Sequence, residues 1–184
     1  MATFIPNDPH GTHAPAPEPP SADFALAQAF LSGTGGDHRQ RLLQDILAWP
    51  DERLESQHDF IQWLFPLPEP SPFNPHAPVL TVAEIALLGA DPACRHGMLL
   101  ALERMRRFYG VPSGGEPVKC SNALVHGGHN DKRISRMLRC LRLAGLQPQA
   151  DELFRILQSC VGSRPARQEA LSFWRWATYG RVVA

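Results

Sequence analysis

The chain has 184 residues, of which 18 are basic and 18 acidic, so its formal net charge at pH 7 is zero. This length suffices for one domain with a proper hydrophobic core. The charge balance excludes a general electrostatic attraction to nucleic acid or to anionic membranes. No run of about 18 consecutive apolar residues occurs, and residues 1–6 lack the basic and apolar regions of a secretory signal. We therefore expect a cytoplasmic protein without a transmembrane helix.

Residues 1–21 contain six prolines and few large apolar side chains. Such a segment cannot bury enough apolar surface to offset the entropy lost on ordering, which predicts a disordered, proline-rich tail. From residue 22 onward, apolar residues recur at helical spacing. We therefore divide the chain into a tail, residues 1–21, and one helical domain, residues 22–180.

The first helices of this domain are predicted from their start and stop signals. Apolar residues at 24–31 predict a first helix, which the glycines at 33–36 end. Asp37 followed by Gln40 resembles a capping box, which would start a second helix reaching Trp49.

The densest apolar and aromatic run is residues 58–66, which read His-Asp-Phe-Ile-Gln-Trp-Leu-Phe-Pro. Leu54, Ile61 and Leu64 follow one another at helical spacing, and Trp63 lies beside this stripe. So wide an apolar face predicts a central helix that is buried on most sides. Pro50 would open this helix, and the proline at 66 would end it.

Residues 66–78 hold six prolines, and the last three repeat with the period of a polyproline II helix. We interpret this segment as a stiff connector over the central helix, anchored by Phe73 and Val79. A docking motif for an SH3-like partner is the alternative.

Further helices are predicted downstream. Thr81 and Glu84 form a capping box, and Asp91 caps a helix that Gly110 ends. Later helices are predicted to begin at residue 130 or 131, at 148 and at 165. Gly145 would end the first of these, and Leu171, Phe173 and Trp174 would belong to the buried face of the last. About seven helices and no strand result, so we predict an all-α fold, a compact single-domain helical bundle.

The cysteines at positions 94, 120, 140 and 160 form no CxxC pair. Their spacing suits neither a zinc ribbon nor a disulfide framework, so we predict isolated apolar thiols in a reducing compartment. Cys120, His126 and His129 lie close together in a long loop, but their spacing matches no established zinc pattern. No metal is therefore predicted, and the glycines at 127 and 128 predict a sharp turn.

His58 and Asp59 invite an acid–base interpretation. Adjacent residues on a helix point about 100° apart, so these two cannot pair directly, whereas both can reach Gln62. We predict a structural hydrogen-bond set. A small enzyme that uses His58, or Cys120 and the loop histidines, stays an alternative.

Five basic residues fall within positions 132–142. On a helical wheel Lys132, Arg136 and Arg139 lie opposite the apolar residues, which predicts that they are free in solvent. Arg133 falls between the two faces, at the rim of any groove. A nucleic-acid- or phosphate-binding surface is the alternative, although nucleic acid is the less favoured partner.

The central run and two downstream segments, residues 107–110 and 133–138, resemble the conserved domain of the opioid growth factor receptor family. The resemblance extends over about residues 23–178, nearly the whole predicted domain. Because the composition is rich in proline, alanine and arginine, we expect a short bacterial member.

The resemblance implies an all-α scaffold that binds a ligand, since the animal receptor that names the family binds an enkephalin peptide. It points to no catalytic residue and no cofactor. We therefore expect a non-enzymatic binding module for a peptide or protein segment. An acidic or carboxylate group of this ligand would be held by charge-assisted hydrogen bonds. The predicted ligand-binding residues are His58, Gln62, Trp63, Arg133 and Arg136.

Overall fold

The computed structural model describes residues 19–113 and 118–180, and these ranges form ten α-helices and one 3-10 helix without a β-sheet. The all-α class is confirmed, but the helices are more numerous than the seven predicted. Residues 1–18 of the predicted tail lie outside the described residues. The helices are α1 (Ala22–Leu31), α2 (Leu43–Leu47), α3 (Asp51–Ser56), α4 (Ile61–Leu64), α5 (Val82–Ala90), α6 (Pro92–Phe108), α7 (Asn122–His126), α8 (His129–Leu143), α9 (Gln147–Val161) and α10 (Gln168–Tyr179), with the 3-10 helix at Pro165–Arg167.

Helix α8 packs against α5, α7, α9 and α10, and its apolar face is buried as predicted. Ile134, Met137 and Leu141 are fully enclosed on this face. Gly89 lets α5 approach closely, because a Cβ atom there would lie 1.9 Å from the carbonyl oxygen of Ala144. With its apolar face committed to the core, α8 turns its polar face outward, where it forms one wall of a groove.

The predicted central helix is in fact two short helices, α3 and α4, separated by residues 57–60. The guanidinium of Arg133 donates to the carbonyls of Leu54 at 2.9 Å and Gln57 at 2.5 Å. A helix leaves its last carbonyls without intrahelical partners, and here a distant side chain supplies the donors. The continuous helix was a wrong prediction because apolar spacing does not reveal such a partner. The predicted end before Pro66 is confirmed.

Asp37 does not start a helix, contrary to the capping-box prediction. Its buried carboxylate accepts hydrogen bonds from the backbone N–H groups of Arg39 at 2.8 Å and Arg41 at 3.1 Å, which folds this segment into a loop. Gln40 has a φ of 59°, a left-handed conformation that a helix cannot continue through. The second helix therefore begins only at Leu43.

The connector, residues 66–78, contacts the α4 region, but not through the predicted anchors. Phe73 and Val79 are 61% and 37% exposed. Asn74 is buried instead, and its side-chain amide donates to the carbonyl of Asp59 at 2.6 Å. The anchor is polar because a backbone carbonyl in the gap between α3 and α4 needs a donor. The ring of Phe73 consequently stays at the surface.

The cysteines divide into two kinds. Cys120 and Cys160 form a disulfide, with their Cα atoms 6.1 Å apart, so the prediction of isolated thiols was wrong for this pair. Their separation of 40 residues carries no pairing signal, because connectivity cannot be deduced from spacing alone. Cys94 and Cys140 are free and buried, as predicted. Burial raises the pKa of the Cys140 thiol to about 12, which makes it unreactive near neutral pH.

Several helix-end predictions are confirmed. Thr81 and Glu84 form a reciprocal capping box, and the carboxylate of Asp91 accepts from the N–H of Cys94. Gly145 has a φ of 72° and closes α8 with the left-handed conformation that glycine favours. No helix within the described ranges is long and apolar enough to cross a membrane.

Candidate functional site

A groove of about 660 Å³ runs between the connector, the polar face of α8 and α10. The connector side is formed by residues 67 and 70–73, the α8 side by residues between 128 and 139, and the α10 side by residues between 169 and 177. His58, Ile61 and Gln62 line one part of it. We call this feature the groove.

Three aromatic rings line the groove while remaining largely open to solvent. Phe73, Phe173 and Trp176 are 61%, 59% and 57% exposed. Phe173 was predicted on the buried face of the last helix, but α10 instead turns Leu171 and Trp174 inward. Exposed aromatic rings gathered in one concave surface commonly mark an interaction site.

Basic side chains of α8 lie beside two of these rings. The ammonium of Lys132 lies 5.4 Å from the centre of the Phe73 ring, and the guanidinium of Arg139 lies 5.7 Å from that of Trp176. Cations in this position are attracted to the negative face of an aromatic ring. The groove therefore presents positive charge and apolar surface together.

The three basic residues predicted to be free in solvent differ in solvent exposure and in their bonding partners. Lys132 is exposed, as predicted. Arg136 is half-buried and donates to the carbonyl of Phe65 at 3.1 Å, and its burial lowers the pKa of the guanidinium. Arg139 pairs with the carboxylate of Glu69 at 2.5 Å. The prediction was therefore wrong for Arg136 and Arg139, because the helical wheel does not show that the connector returns over this face.

Arg133 lies behind the groove wall rather than at its rim, which corrects the second prediction for this helix. It is 4% exposed, and its guanidinium also donates to the side-chain oxygen of Asn130 at 3.2 Å. Burial lowers the pKa of Arg133, although the nearby hydroxyl of Tyr109 and carboxylate of Glu55 oppose this. With most of its donors engaged by the protein itself, Arg133 has little capacity left for a ligand.

Gln62 and His58 contribute to the groove next to the break in the central run. The amide of Gln62 donates to the backbone carbonyl of His58 at 3.2 Å and to the hydroxyl of Ser71 at 3.1 Å. The ring of His58 packs edge-on against that of His129, with centres 4.7 Å apart. Burial lowers the pKa of His129 most, and the guanidinium of Arg133 lowers it further. The carboxylate of Glu55, 3.3 Å away, opposes both effects.

Asp59 does not join Gln62, although the sequence allowed it. Its carboxylate pairs with Arg39 at 3.0 Å and with Arg41 at 3.1 Å. These contacts attach the loop at residues 37–41 to the gap between α3 and α4, so Asp59 has a structural role in this arrangement.

The fifth predicted residue, Trp63, is 2% exposed and packs edge-on against Phe30 at 5.5 Å. It belongs to the core and does not line the groove. His58, Gln62 and Arg136 do line it, whereas Arg133 contributes only a buried part of the wall. Sequence reasoning missed the three exposed rings, although Phe173 and Trp176 are three residues apart and share a helix face.

A turn with two glycines sets the edge of the groove at the start of α8. Gly127 and Gly128 have φ values of 75° and 77°, which confirms the predicted sharp turn. Arg167 holds the carboxylate of Asp131 with two N–H groups beside this turn, and a Cβ atom at Gly127 would lie 2.0 Å from the guanidinium. The turn therefore requires glycine both for its conformation and for space.

The loop residues considered for metal binding are otherwise engaged. Cys120 is oxidised in the disulfide, and a ring nitrogen of His126 lies 3.1 Å from the carbonyl of Asn122. Within residues 19–113 and 118–180, no three potential ligands stand close enough together to hold a metal ion.

Across its described ranges the molecule is thus an all-α domain with an open groove where exposed aromatic rings and basic side chains meet. A family model for the conserved region of the opioid growth factor receptor matches residues 40–179. The chain belongs to this family, as the sequence motifs predicted.

Individual relatives agree with this assignment. Opioid growth factor receptor of Mus musculus is 33% identical over 153 residues, which cover 74% of this chain and 24% of that protein. The receptor of Homo sapiens is 33% identical over 152 residues, covering 73% and 22%. Opioid growth factor receptor-like protein 1 of Mus musculus is 33% identical over 105 residues, covering 52% and 22%. The chain thus spans about a quarter of the length of these relatives. No solved structure matches it significantly.

Proposed function

We propose that this chain is a non-enzymatic binding module whose groove takes a segment of peptide or protein bearing both carboxylate and apolar side chains. One observation carries the proposal: three largely exposed aromatic rings and the basic face of α8 meet in a single groove. A bound segment would cover the rings and gain the free energy of burying apolar surface.

The charge of the groove favours an acidic partner. Lys132, Arg136 and Arg139 of α8 line it, and Arg139 is paired with Glu69. The carboxylates that line it are Asp131 and Glu169, in a chain without net charge. Asp131 is already paired with Arg167. A carboxylate entering the groove would therefore meet an excess of positive charge and could form charge-assisted hydrogen bonds.

The residues that hold the carboxylate differ from those expected from sequence. Arg133 donates to three backbone carbonyls and one side-chain oxygen, so we assign it to the fold. Lys132 and Arg139, at opposite ends of the basic face, take its place in the proposed contact with the ligand.

The names of the relatives support a binding role. Both the family and the similar proteins of Mus musculus and Homo sapiens are named as receptors. A receptor binds a ligand rather than converting it, which agrees with the proposed non-enzymatic role. The match spans about a quarter of those proteins, so the ligand of this chain is proposed from its groove.

Nucleic acid is a less suitable partner for the basic helix. Arg133, Arg136 and Arg142 donate to backbone carbonyls of this chain, so their guanidiniums are not displayed for phosphate contacts. Binding to nucleic acid normally rests on several freely presented cations and falls steeply with salt.

A random-peptide phage library tests the proposal directly. We expect the full-length chain to enrich peptides that combine acidic and apolar residues. A Phe173→Ser, Trp176→Ser double variant should bind the enriched peptides at least roughly tenfold more weakly, since tenfold corresponds to about 1.4 kcal/mol of lost contact. The matched control is Leu26→Ser, Leu87→Ser, which removes two exposed apolar side chains outside the groove.

Two outcomes would contradict the proposal. The library could enrich no peptide against the folded chain, or the control variant could lose as much affinity as the groove variant. Circular dichroism of all three proteins establishes that the helical fold is retained in each comparison.

A further inference from the structure

We infer that the groove selects an extended, polyproline-like segment with two acidic residues three positions apart and an apolar residue between them. This inference rests on the proposed function of the groove and specifies its ligand. It follows from the spacing of the cations on α8, the rings beside them and the length of an extended chain.

The two outer cations of the groove lie on one line along α8. Lys132 and Arg139 are seven residues apart, which is almost two full turns, so both side chains leave the same face of the helix. At 1.5 Å per residue their positions are separated by about 10.5 Å along the axis. Each stands over its own ring, Lys132 over Phe73 and Arg139 over Trp176. The groove thus has two separate positive positions with an interval between them.

An extended segment can match this interval in only a few ways. In a polyproline II helix, residues three apart share a face and are separated by about 9.3 Å. This is about 1 Å less than the interval between Lys132 and Arg139, a difference that two flexible acidic side chains can span. In a β-strand, residues three apart point to opposite faces. Residues two apart in a strand share a face but span only about 6.6 Å, roughly 4 Å short of the interval, and residues four apart span about 13 Å, which exceeds it. The polyproline geometry with a spacing of three is the best fit.

Arg139 already shows that a carboxylate fits at one of these positions. Its guanidinium binds the carboxylate of Glu69, a connector residue whose side chain is about half exposed. Exposed ion pairs contribute little net stability, so an incoming carboxylate can replace this one at small cost. Glu69 therefore occupies the position that we assign to one acidic residue of the ligand.

The interval between the two cations is suited to an apolar side chain. Arg136 lies between them on α8, but it is half-buried and donates to the carbonyl of Phe65. On α10, the ring of Phe173 lines the groove and is 59% exposed. One of the two residues between the ligand's acidic positions would pack on this ring, because Arg136 is already engaged by the protein.

Glu169 also argues against a uniformly acidic ligand. It lies on α10, lines the groove and would repel additional negative charge. A continuous polyanion would meet this carboxylate, whereas two spaced carboxylates need not. The groove therefore favours a ligand with two spaced carboxylates over a ligand with a large total negative charge.

Fluorescence anisotropy with labelled synthetic peptides and the full-length chain tests the inference. The lead peptide is proline-rich and carries Glu-Leu-Pro-Glu, which places two glutamates three positions apart. Comparison peptides of equal length and charge place the glutamates two or five positions apart, and a further peptide replaces both by glutamine. We expect the lead peptide to bind at least roughly tenfold more tightly than each of these.

Two protein variants locate the contact. Lys132→Glu and Arg139→Glu should each weaken binding of the lead peptide by roughly tenfold or more, and together they should remove the preference for the spacing of three. Arg155→Glu is the matched control, because this arginine is exposed on α9 outside the groove and carries the same charge. It should leave the spacing preference unchanged.

Affinity that follows total charge irrespective of spacing would overturn the inference, and so would equal losses in the groove and control variants. Either result would leave the proposed function intact if the phage library still enriches peptides that depend on Phe173 and Trp176. Enrichment of no peptide at all would instead refute the proposed function.

Discussion

Lys132 and Arg133 are neighbours in the chain, yet they belong to two different regions of the molecule. Arg133 is buried in the gap between α3 and α4, where it donates to carbonyls that those short helices leave open. Lys132 stands at the surface of the groove over the ring of Phe73. One cation completes the fold, and the other remains available to a ligand.

The comparison shows that the composition of a basic helix does not determine what its charges do. A step of one residue rotates a side chain by about 100° around the helix, which here separates the protein interior from the groove. The aromatic residues divide in the same way, since Trp63 is buried whereas Trp176 is 57% exposed. The fold and the groove can therefore be perturbed separately.

The largest expected effect is on stability at Arg133. Replacement by Met keeps much of the volume but removes every donor, leaving the carbonyls of Leu54 and Gln57 buried without partners. We expect the free energy of unfolding to fall by about 5 kcal/mol, because breaking buried hydrogen bonds to a charged group carries a large penalty. Urea unfolding followed by circular dichroism measures this change.

Lys132→Met is the matched control for that experiment and should change stability by no more than about 0.5 kcal/mol, as is usual for exposed positions. Equal effects of the two variants would remove the distinction between the two regions. A stable, folded Arg133→Met protein that had lost only ligand binding would return Arg133 to the ligand site.

Substitutions of Trp63 and Trp176 test the same difference between core and groove. Trp63→Ala should cost about 4 kcal/mol, because it leaves a cavity in the core. Trp176→Ala should cost much less, since more than half of its side chain is already in water. Thermal or urea unfolding of both variants gives the comparison, and a near-neutral Trp63→Ala would mean that this indole is not part of the core.

The disulfide supports the frame behind the groove rather than the groove itself. Closing a loop of this length between Cys120 and Cys160 restricts the unfolded chain, so a Cys120→Ser, Cys160→Ser variant should lose about 4 kcal/mol of stability. Neither cysteine lines the groove, so peptide affinity should change little in the folded variant.

Reducing the wild-type protein with dithiothreitol should reproduce this loss, and the double serine variant should then be insensitive to the reductant. An unchanged melting temperature on reduction would contradict the stabilising role. Thiol labelling in freshly lysed cells bears on the predicted cytoplasmic location, because disulfides are uncommon in a reducing compartment.

Glu84 is a second buried charge used by the fold, and its effect depends on pH. Its carboxylate accepts from the backbone N–H groups of Ser21 and Thr81, each at 2.8 Å. Burial alone would raise the pKa of Glu84, but these hydrogen bonds outweigh it and lower the pKa to about 2 from 4.5. The ionised form is therefore bound more favourably in the folded state.

A depressed pKa contributes stability above pH 4.5 that is lost as pH falls toward 2. We expect this contribution to be about 2–3 kcal/mol, since one pKa unit corresponds to about 1.4 kcal/mol. Urea unfolding between pH 6 and pH 2 should show it, and Glu84→Gln should flatten that part of the profile. An identical profile in the variant would mean that other carboxylates cause the acid sensitivity.

Much of the fold follows from local patterns. The capping box at Thr81 and Glu84, the cap at Asp91 and the ending at Gly145 all lie within a few residues of the helices that they define. The apolar face of α8 was likewise readable from its period. These features could be predicted because each depends on neighbours in the chain.

The site was less accessible to prediction because its walls come from three separate parts of the chain. The motif residues His58, Gln62 and Arg136 line the groove, while Arg133 is buried behind its wall. Nothing in their spacing shows that Arg133 faces inward or that Glu69 covers Arg139. Exposed rings such as Phe173 resemble core residues in sequence, since both are apolar at helical positions.

The sequence by itself determined the all-α class, several helix ends and membership of the family, because periodicity, caps and motifs are local features that can be read without knowing the fold. Only the tertiary structure decided the break between α3 and α4, the disulfide and the division of charges between core and groove. Each of these depends on a partner that lies 40 or more residues away, as for Cys120 with Cys160 and Arg133 with Leu54. Such contacts arise when helices pack, and packing brings together residues whose spacing along the chain carries no signal of their contact.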